Sequence, residues 1–378
     1  MAWLPFPAWI PVSLLGLLAL EGWLTQSRLR DLPTLPEADA SLECPRVCLC
    51  IPARDEAREI GPALDSWLAQ DYPDLRILVV DDGSTDGTAE LLAERAARHP
   101  DRLRVLRNEV LPPGWLGKNH ALHLASLQPD AKNADWLLFV DADVQATPSL
   151  LRNAVAHLQD RYADILTLIA AVDTVGVAER IFIPPAFMNF LWFTPPRRVA
   201  DPHSGFFCGT GGFTLVRRKA YEAIGGHAGA PLEPIDDMRL AQRMKQSGFI
   251  NRMARGGPDL RLRMYHSLAE ILRALRKNVL GIAYVWMLAP LMILLLVALA
   301  LSPLWLGLGG WPVTGLTLWI TWPALVGEVH QRFSARPLDW LWILWPLTGL
   351  ILALGMAWSF TARVRGINHW RGRNVRVR

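Results

Sequence analysis

The chain has 378 residues, 51% hydrophobic and 20% charged, with 17 Trp. That composition excludes a disordered chain, and the length allows a full core-bearing domain with residues to spare. The net charge of +4 raises nucleic acid as a partner. However, the Arg residues cluster beside apolar segments and no basic patch is interleaved with stacking aromatics, so the charge fits a membrane surface and no nucleic acid.

Trp3 to Leu20 is apolar and uncharged, and with Gly22 to Thr25 it reaches the roughly 20 residues that span a bilayer. A secretory signal carries its positive charge before the apolar core; here Arg28 and Arg30 come after it. The positive-inside rule then puts the N-terminus outside and the chain beyond Arg30 in the cytosol. Residues 1–25 read as a retained transmembrane anchor, and the Pro- and acid-containing residues 26–45 as a linker.

Residues 46–265 read as one cytosolic domain. Arg46 to Ile51 is a buried strand, ended by Pro52-Ala-Arg-Asp-Glu56, and a helix follows over about Glu59–Gln70. Leu75 to Val80 is a second strand, running into the turn DDGSTDGT at 81–88, which is dense in Gly and helix-capping residues. A helix to about His99, a short strand Leu103–Leu106 and a fourth strand, DWLLFV at 135–140, complete the first half. Strands alternating with helices predict an α/β domain with a mostly parallel sheet. Ligands of such sheets bind beyond the carboxyl ends of the strands, where Arg54, Asp82 and Asp143 fall.

The fourth strand ends in Asp141-Ala-Asp143. Residues i and i+2 of extended chain share a side, so the two carboxylates converge. At about 4 Å they repel by roughly 4 kcal/mol at an effective dielectric near 20, and a divalent cation would offset that. Mg²⁺ and Mn²⁺ take such oxygen ligands and share them with substrate phosphates. A solvated turn is the alternative. PPGWLGKNH at 112–120 reads as a loop on its two prolines and two glycines. Lys118 in it stands either as a solvated lysine or close to a phosphate, and the P-loop spacing is absent.

Cys44, Cys48, Cys50 and Cys208 are the only cysteines. Cys48 and Cys50 alternate with Val47, Leu49 and Ile51 in a strand-like run. They read as reduced, buried thiols rather than as zinc ligands.

IFIPPAFMNFLWFTPP at 181–196 is apolar but broken by four prolines. It reads as a segment on the membrane face, or as a buried loop core. GFFCGTGG at 205–212 gives a flexible floor before the strand Phe213–Val216. Glu233-Pro-Ile-Asp-Asp237 heads a helix to Gln246, where acidic residues gain about 0.3–1 kcal/mol from the helix dipole whatever else they do. Residues 266–283 read as an interfacial helix. Tyr284–Leu308, Trp311–Val326 and Trp340–Phe360 are apolar stretches of a C-terminal transmembrane region over 284–362, the middle one the weakest. Arg332, Arg336 and the basic tail 363–378 belong in the cytosol by charge. Three full crossings would put that tail outside, so one stretch is expected to be re-entrant or interfacial.

Together these motifs resemble family 2 glycosyltransferases with a GT-A fold. IPARDE, VDDGSTDGT, DAD, the Gly-rich stretch and the Asp236-Asp237 pair occur in that family's order, over about Arg46 to Gly248. PPGWLGKNHAL, the single preceding anchor and Trp370-Arg-Gly-Arg373 are similar to bacterial membrane enzymes associated with hopanoid and carotenoid glycosylation. The resemblance implies a Rossmann-like mixed sheet that binds a nucleotide sugar, with an anchor before it and transmembrane helices after it. It implies that Pro52, Arg54, Glu56 and Asp82 hold the nucleoside. Asp141 and Asp143 would hold Mn²⁺ or Mg²⁺, and Asp237 would be the general base. Asp236 stands where Glu is usual. Lys118 or Arg273 and Arg276 would assist at the phosphates. The family's polymer-forming members carry Q-x-x-R-W; here RALRK at 273–277 has Lys where Trp is expected, which speaks against processive synthesis.

The implied activity is inverting transfer of a sugar, from a nucleotide donor such as a UDP-sugar, to a membrane lipid such as a hopanoid or a carotenoid or polyisoprenoid. The enzyme would sit in the bilayer of the bacterial inner membrane, with its catalytic domain on the cytoplasmic face. A processive polysaccharide synthase and a non-catalytic membrane scaffold are the rival readings. Hydride transfer is disfavoured because no G-x-G-x-x-G comes after the first strand.

Overall fold

A computed structural model of the chain describes residues 7–39, 42–280, 285–333, 340–365, 369–370 and 373–374. Two compact units result: Asp31–Asp173 with Thr194–Met264, and Met1–Arg30 with Thr174–Phe193 and Tyr265–Arg378.

The first unit is built on an eight-stranded sheet. Its strands are β1 Val47–Ala53, β2 Leu75–Asp81, β3 Leu103–Arg107, β4 Trp136–Phe139, β5 Gln145–Ala146, β6 Ile165–Val172, β7 Thr214–Arg217 and β8 Asn251–Leu262. Their order is β3-β2-β1-β4-β7-β6-β8-β5. The four strands from β3 to β4 run parallel, as the strand–helix alternation predicts. β7 then pairs antiparallel with both β4 and β6, so the sheet is mixed. That reversal is invisible in the strand–helix alternation, because β7 inserts between two strands laid down earlier in the chain.

Side-chain alternation along β1 explains the cysteines. Val47, Leu49 and Ile51 enter one core with Trp67, Ile77 and Val79. Cys48 and Cys50 enter the opposite core, beneath Ala121, Leu122 and Ala125. All four cysteines are free thiols. Part of the stretch expected as a linker is bonded to the first unit: Arg255 N–H donates to Pro33 O at 2.8 Å, and Ala38 N–H donates to Asn153 Oδ1 at 2.9 Å.

In the second unit, the N-terminal helix is continuous over Trp9–Asp31, past the expected end at residue 25. The stretch expected to be broken by prolines is instead a helix over Val177–Phe193 with Pro184 and Pro185 inside it. Pro185 has no N–H to offer Ile181 O, four residues back. The Thr348 hydroxyl takes that place, donating to Ile181 O at 2.9 Å, and Ile181, Phe182, Met188 and Leu191 are buried. Sequence reasoning missed this helix because the compensating donor lies far along the chain.

The C-terminal stretches form the helices Val285–Ala300, Ser302–Leu308, Pro312–Phe333 and Pro346–Val364. The middle stretch, expected to be the weakest of the three apolar stretches, gives the 22-residue helix Pro312–Phe333. Among the described residues no single helix is long and apolar enough to cross a membrane. Ala289–Ala300 and Ser302–Leu308 pass that test together but meet at 62°. Arg336 and most of the basic tail, with Arg371, Arg376 and Arg378, lie outside the described residues.

Candidate active site

The carboxyl ends of the parallel strands carry the site, held in line by bonds that continue the ladder. Asp82 N–H donates to Ala53 O at 2.8 Å, Asn108 N–H to Asp81 O at 2.8 Å, and Asp141 N–H to Gly211 O at 2.8 Å. Asp81 and Asp82 are adjacent but serve differently. Asp81 Oδ1 accepts the Ser84 N–H at 2.9 Å and so fixes the turn after β2. Asp82 is buried, with Oδ1 receiving Asn108 Nδ2 at 2.6 Å and Oδ2 3.6 Å from Arg54 Nη1. Arg54 Nη1 also donates to Asp82 O at 2.8 Å. Glu56 is tied into the same region by its N–H, which donates to Thr88 Oγ1 at 2.9 Å.

Pro52, Lys118, Asp141, Gly211, Asp236 and Asp237 line one hollow. Pro52 lies beyond the last residue of β1 that pairs with β4, Cys50, so its missing N–H costs no bond there. Lys118 is not in a loop, as its neighbours suggest, but in the first turn of the helix Gly117–Ser126. The two glycines and two prolines of the motif set the entry to that helix. From there the Lys118 ammonium lies 2.7 Å from Asp141 Oδ1 and 3.2 Å from Asp236 Oδ1. Burial works against its charge, but Asp141, Asp236 and Asp237 outweigh that and hold it well above the ordinary lysine value.

The three carboxylates differ. Asp236 is buried and lies between Lys118 and His227, whose Nε2 is 4.0 Å from Asp236 Oδ2. Burial pushes His227 down to about 4, so it is neutral near pH 7 and the cation facing Asp236 is Lys118. Asp237 opens the helix Asp236–Gln246, and its Oδ1 accepts the Met238 N–H at 2.7 Å. Burial and the neighbouring Asp236 raise its carboxyl above the usual range, against the opposing pull of Lys118. Asp143 is pushed up to about 7 by burial, Asp141 and Glu56.

Two glycines turn out to be required by close approach rather than by flexibility. A Cβ on Gly211 would lie 2.1 Å from Asp141 Oδ2, and one on Gly209 would lie 2.1 Å from the Asp237 carbonyl oxygen. Asn108, Asn119, His120 and His227 were likewise not legible as site residues. Each is buried, and each acts on a partner at least 9 residues away in sequence. Arg273 and Arg276 lie in the other compact unit. There Arg273 is 3.9 Å from Glu270, and Arg276 stacks over Trp358 at 5.2 Å.

Among the described residues no group of three or more His, Cys, Asp or Glu side chains converges on a metal position. What is present is the crowded acidic pair Asp141 and Asp143. That suits a hard cation completed by phosphate oxygens, as Mg²⁺ commonly binds, rather than an all-protein cage.

Residues 48–225 match the family described as Glycosyl transferase family 2. The beta-monoglucosyldiacylglycerol synthase of Synechocystis sp. is 30% identical over 225 residues, 58% of this chain and 45% of that protein. The 4,4'-diaponeurosporenoate glycosyltransferase of Staphylococcus aureus is 26% identical over 221 residues, 57% of this chain and 56% of its own length. The chain thus spans about half the length of these curated relatives. The solved mannosyltransferase PcManGT of Pyrobaculum calidifontis, in complex with GDP-Man and Mn²⁺, superimposes with a TM-score of 0.56 at 19% identity. It covers 92% of this chain and 97% of that one, a likeness of fold.

Proposed function

This chain carries a glycosyl transferase family 2 domain, and from that premise we propose that it is an inverting, metal-dependent glycosyltransferase acting on a membrane lipid. The observation that carries the reading is the set of Asp141, Asp236 and Asp237 around the Lys118 ammonium, in one hollow at the carboxyl edge of the sheet. Arg54 and Asp82 stand at the same edge. In this reading they hold the nucleoside of a donor such as a UDP-sugar, with Pro52 and Glu56. Asp141 and Asp143 hold Mn²⁺ or Mg²⁺, which when bound stabilises charge on the leaving diphosphate as a Lewis acid.

The acceptor hydroxyl has a pKa far above 7 and needs a base as it attacks. Asp237, raised by burial and by Asp236, is a stronger base than an ordinary carboxylate. The acceptor oxygen bonds to the anomeric carbon, the bond from that carbon to the phosphate oxygen breaks, and the proton passes to Asp237. One displacement inverts the anomeric centre and needs no enzymic nucleophile. Lys118 opposes the rise of the Asp237 and Asp143 carboxyls and offers a positive charge near the phosphates.

The relatives named for glucosyldiacylglycerol and diaponeurosporenoate support a lipid acceptor, a hopanoid or carotenoid included. The apolar side chains exposed on the helices of the second unit support a bilayer location. Arg28 and Arg30 in the last turn of the N-terminal helix support a cytoplasmic face of the inner membrane for the glycosyltransferase domain in this reading.

The test is transfer by the full chain in detergent. Sugar should move from a nucleotide donor to lipid only with Mn²⁺ or Mg²⁺ present, one sugar per acceptor. Asp237→Asn should lose turnover while calorimetry with UDP or GDP and Mn²⁺ still detects nucleotide binding. A ladder of products would favour the polymer synthase, and absence of nucleotide binding the scaffold. Normal turnover by Asp237→Asn would remove the base.

A further inference from the structure

Three consecutive residues in the first turn of the helix Gly117–Ser126 reach three different walls of the site. Successive helical residues point about 100° apart, as 3.6 residues per turn require, so neighbours fan outward. Lys118 meets Asp141 and Asp236. Asn119, 1% exposed, directs its Nδ2 at Ala230 O (3.1 Å), Pro231 O (3.2 Å) and Glu233 O (3.0 Å). His120 places Nδ1 3.2 Å from Asn108 Nδ2, which donates to Asp82 Oδ1 at 2.6 Å.

The two asparagines bond to different segments. The carbonyls that Asn119 gathers lie just before Asp236 and Asp237, and Leu116 N–H joins them on Pro231 O at 2.9 Å. With two hydrogens for three acceptors, the amide holds the backbone turn rather than one bond within it. Asn108 instead lies against Asp82, at the end assigned to the nucleoside. It is fixed there by its own N–H on Asp81 O and by the His120 ring.

Resting on the glycosyltransferase reading above, we propose that Asn119 and Asn108 are positioning residues with separate duties. Asn119 sets where Asp236 and Asp237 stand and so controls the rate of transfer. Asn108 sets where Asp82 points and so controls donor affinity. Neither touches substrate, and one helical turn carries both constraints.

The experiment compares Asn119→Ala and Asn108→Ala in the 378-residue chain in detergent. UDP and GDP with MnCl₂ serve as calorimetric probes, and sugar transfer to lipid extract gives turnover. Asn119→Ala should lower kcat at least tenfold and leave the nucleotide Kd within twofold of the parent. Asn108→Ala should weaken that Kd at least fivefold and leave kcat at saturating donor within twofold. Should Asn119→Ala not fold, Asn119→Ser, which keeps one donor, reads the same split in smaller measure. Parallel losses of binding and turnover that track melting temperature would reduce both residues to fold stability and overturn the proposal, as would no change in either. A parent protein that neither binds nucleotide nor transfers sugar would sink the glycosyltransferase reading itself. An active parent with unsplit variants would sink only this one.

Discussion

The Lys118 ammonium lies 2.7 Å from Asp141 Oδ1. The same ammonium lowers the pKa of both Asp237 and Asp143. Held well above its ordinary value, it does not itself titrate near neutral pH. Lys118→Met should therefore raise both carboxyls and move the acidic limb of the pH–rate profile to higher pH. Turnover at pH 7 should fall about tenfold or more, the factor equivalent to about 1.4 kcal/mol. Lys118→Arg keeps the charge and should return the limb toward its original position even where rate is not restored. A profile unmoved by Lys118→Met would show that the Asp237 and Asp143 carboxyls do not depend on this cation.

Asp143 should act with opposite sign on stability and on function. Its carboxyl is raised from 3.8 to about 7 in the fold. Between those values the folded protein holds more protons than the unfolded one, so stability falls as pH rises through that window. Above pH 7 the charged carboxylate costs the most. In chelator at pH 8, Asp143→Asn should melt higher than the parent, by about 2–4 °C for each kcal/mol relieved. The advantage should shrink toward pH 4. The same variant should lose Mn²⁺-dependent nucleotide binding. A lower melting point at pH 8 would mean that the carboxylate is not crowded.

The sheet edge is legible because strand ends announce themselves: apolar runs of β1, β2 and β4 stop at Arg54, Asp81 and Asp141. The Asp236–Asp237 helix start is legible from its acidic residues ahead of a helical run. Lys118 reads as a loop residue because proline and glycine dominate its neighbourhood, although Pro112, Pro113 and Gly114 lie before the helix and Gly117 is its first residue. Asn119 could not be read at all. Its three carbonyl partners are 111 to 114 residues away, and a buried asparagine gives no periodic or spacing signal. The antiparallel insertion of β7 was hidden likewise, since pairing between distant strands leaves no mark on either.

Gly209 and Gly211 separate the carboxylate side chain from the backbone as the thing protected. In Gly211→Ala the three atoms nearest the new methyl all belong to the Asp141 carboxyl group, with Oδ2 at 2.1 Å. A side chain can rotate away, so this variant should fold and melt within a few degrees of the parent. It should lose the Asp141–Lys118 pairing and most activity. In Gly209→Ala the methyl meets backbone, the Asp237 carbonyl at 2.1 Å and its carbon at 2.4 Å. The helix start must shift, and both stability and turnover should fall. Equal melting points for the two variants would contradict this distinction.

Attachment to a bilayer should rest on apolar insertion rather than on charge. Many large apolar side chains of the second unit face outward: Val313 is 77% exposed, Leu308 71% and Leu294 66%. Monomeric soluble proteins rarely show contiguous apolar patches beyond a few hundred Å². The basic residues alone would give a salt-sensitive attachment, because the Debye length shrinks to about 3 Å at 1 M ionic strength. Apolar insertion has no such dependence. Membranes from cells producing the chain should therefore retain it through washes in 1 M NaCl and in alkaline carbonate, and release it only to detergent. Release by salt alone would leave the positive charge as the sole anchor, and the exposed leucines and valines would then need another partner.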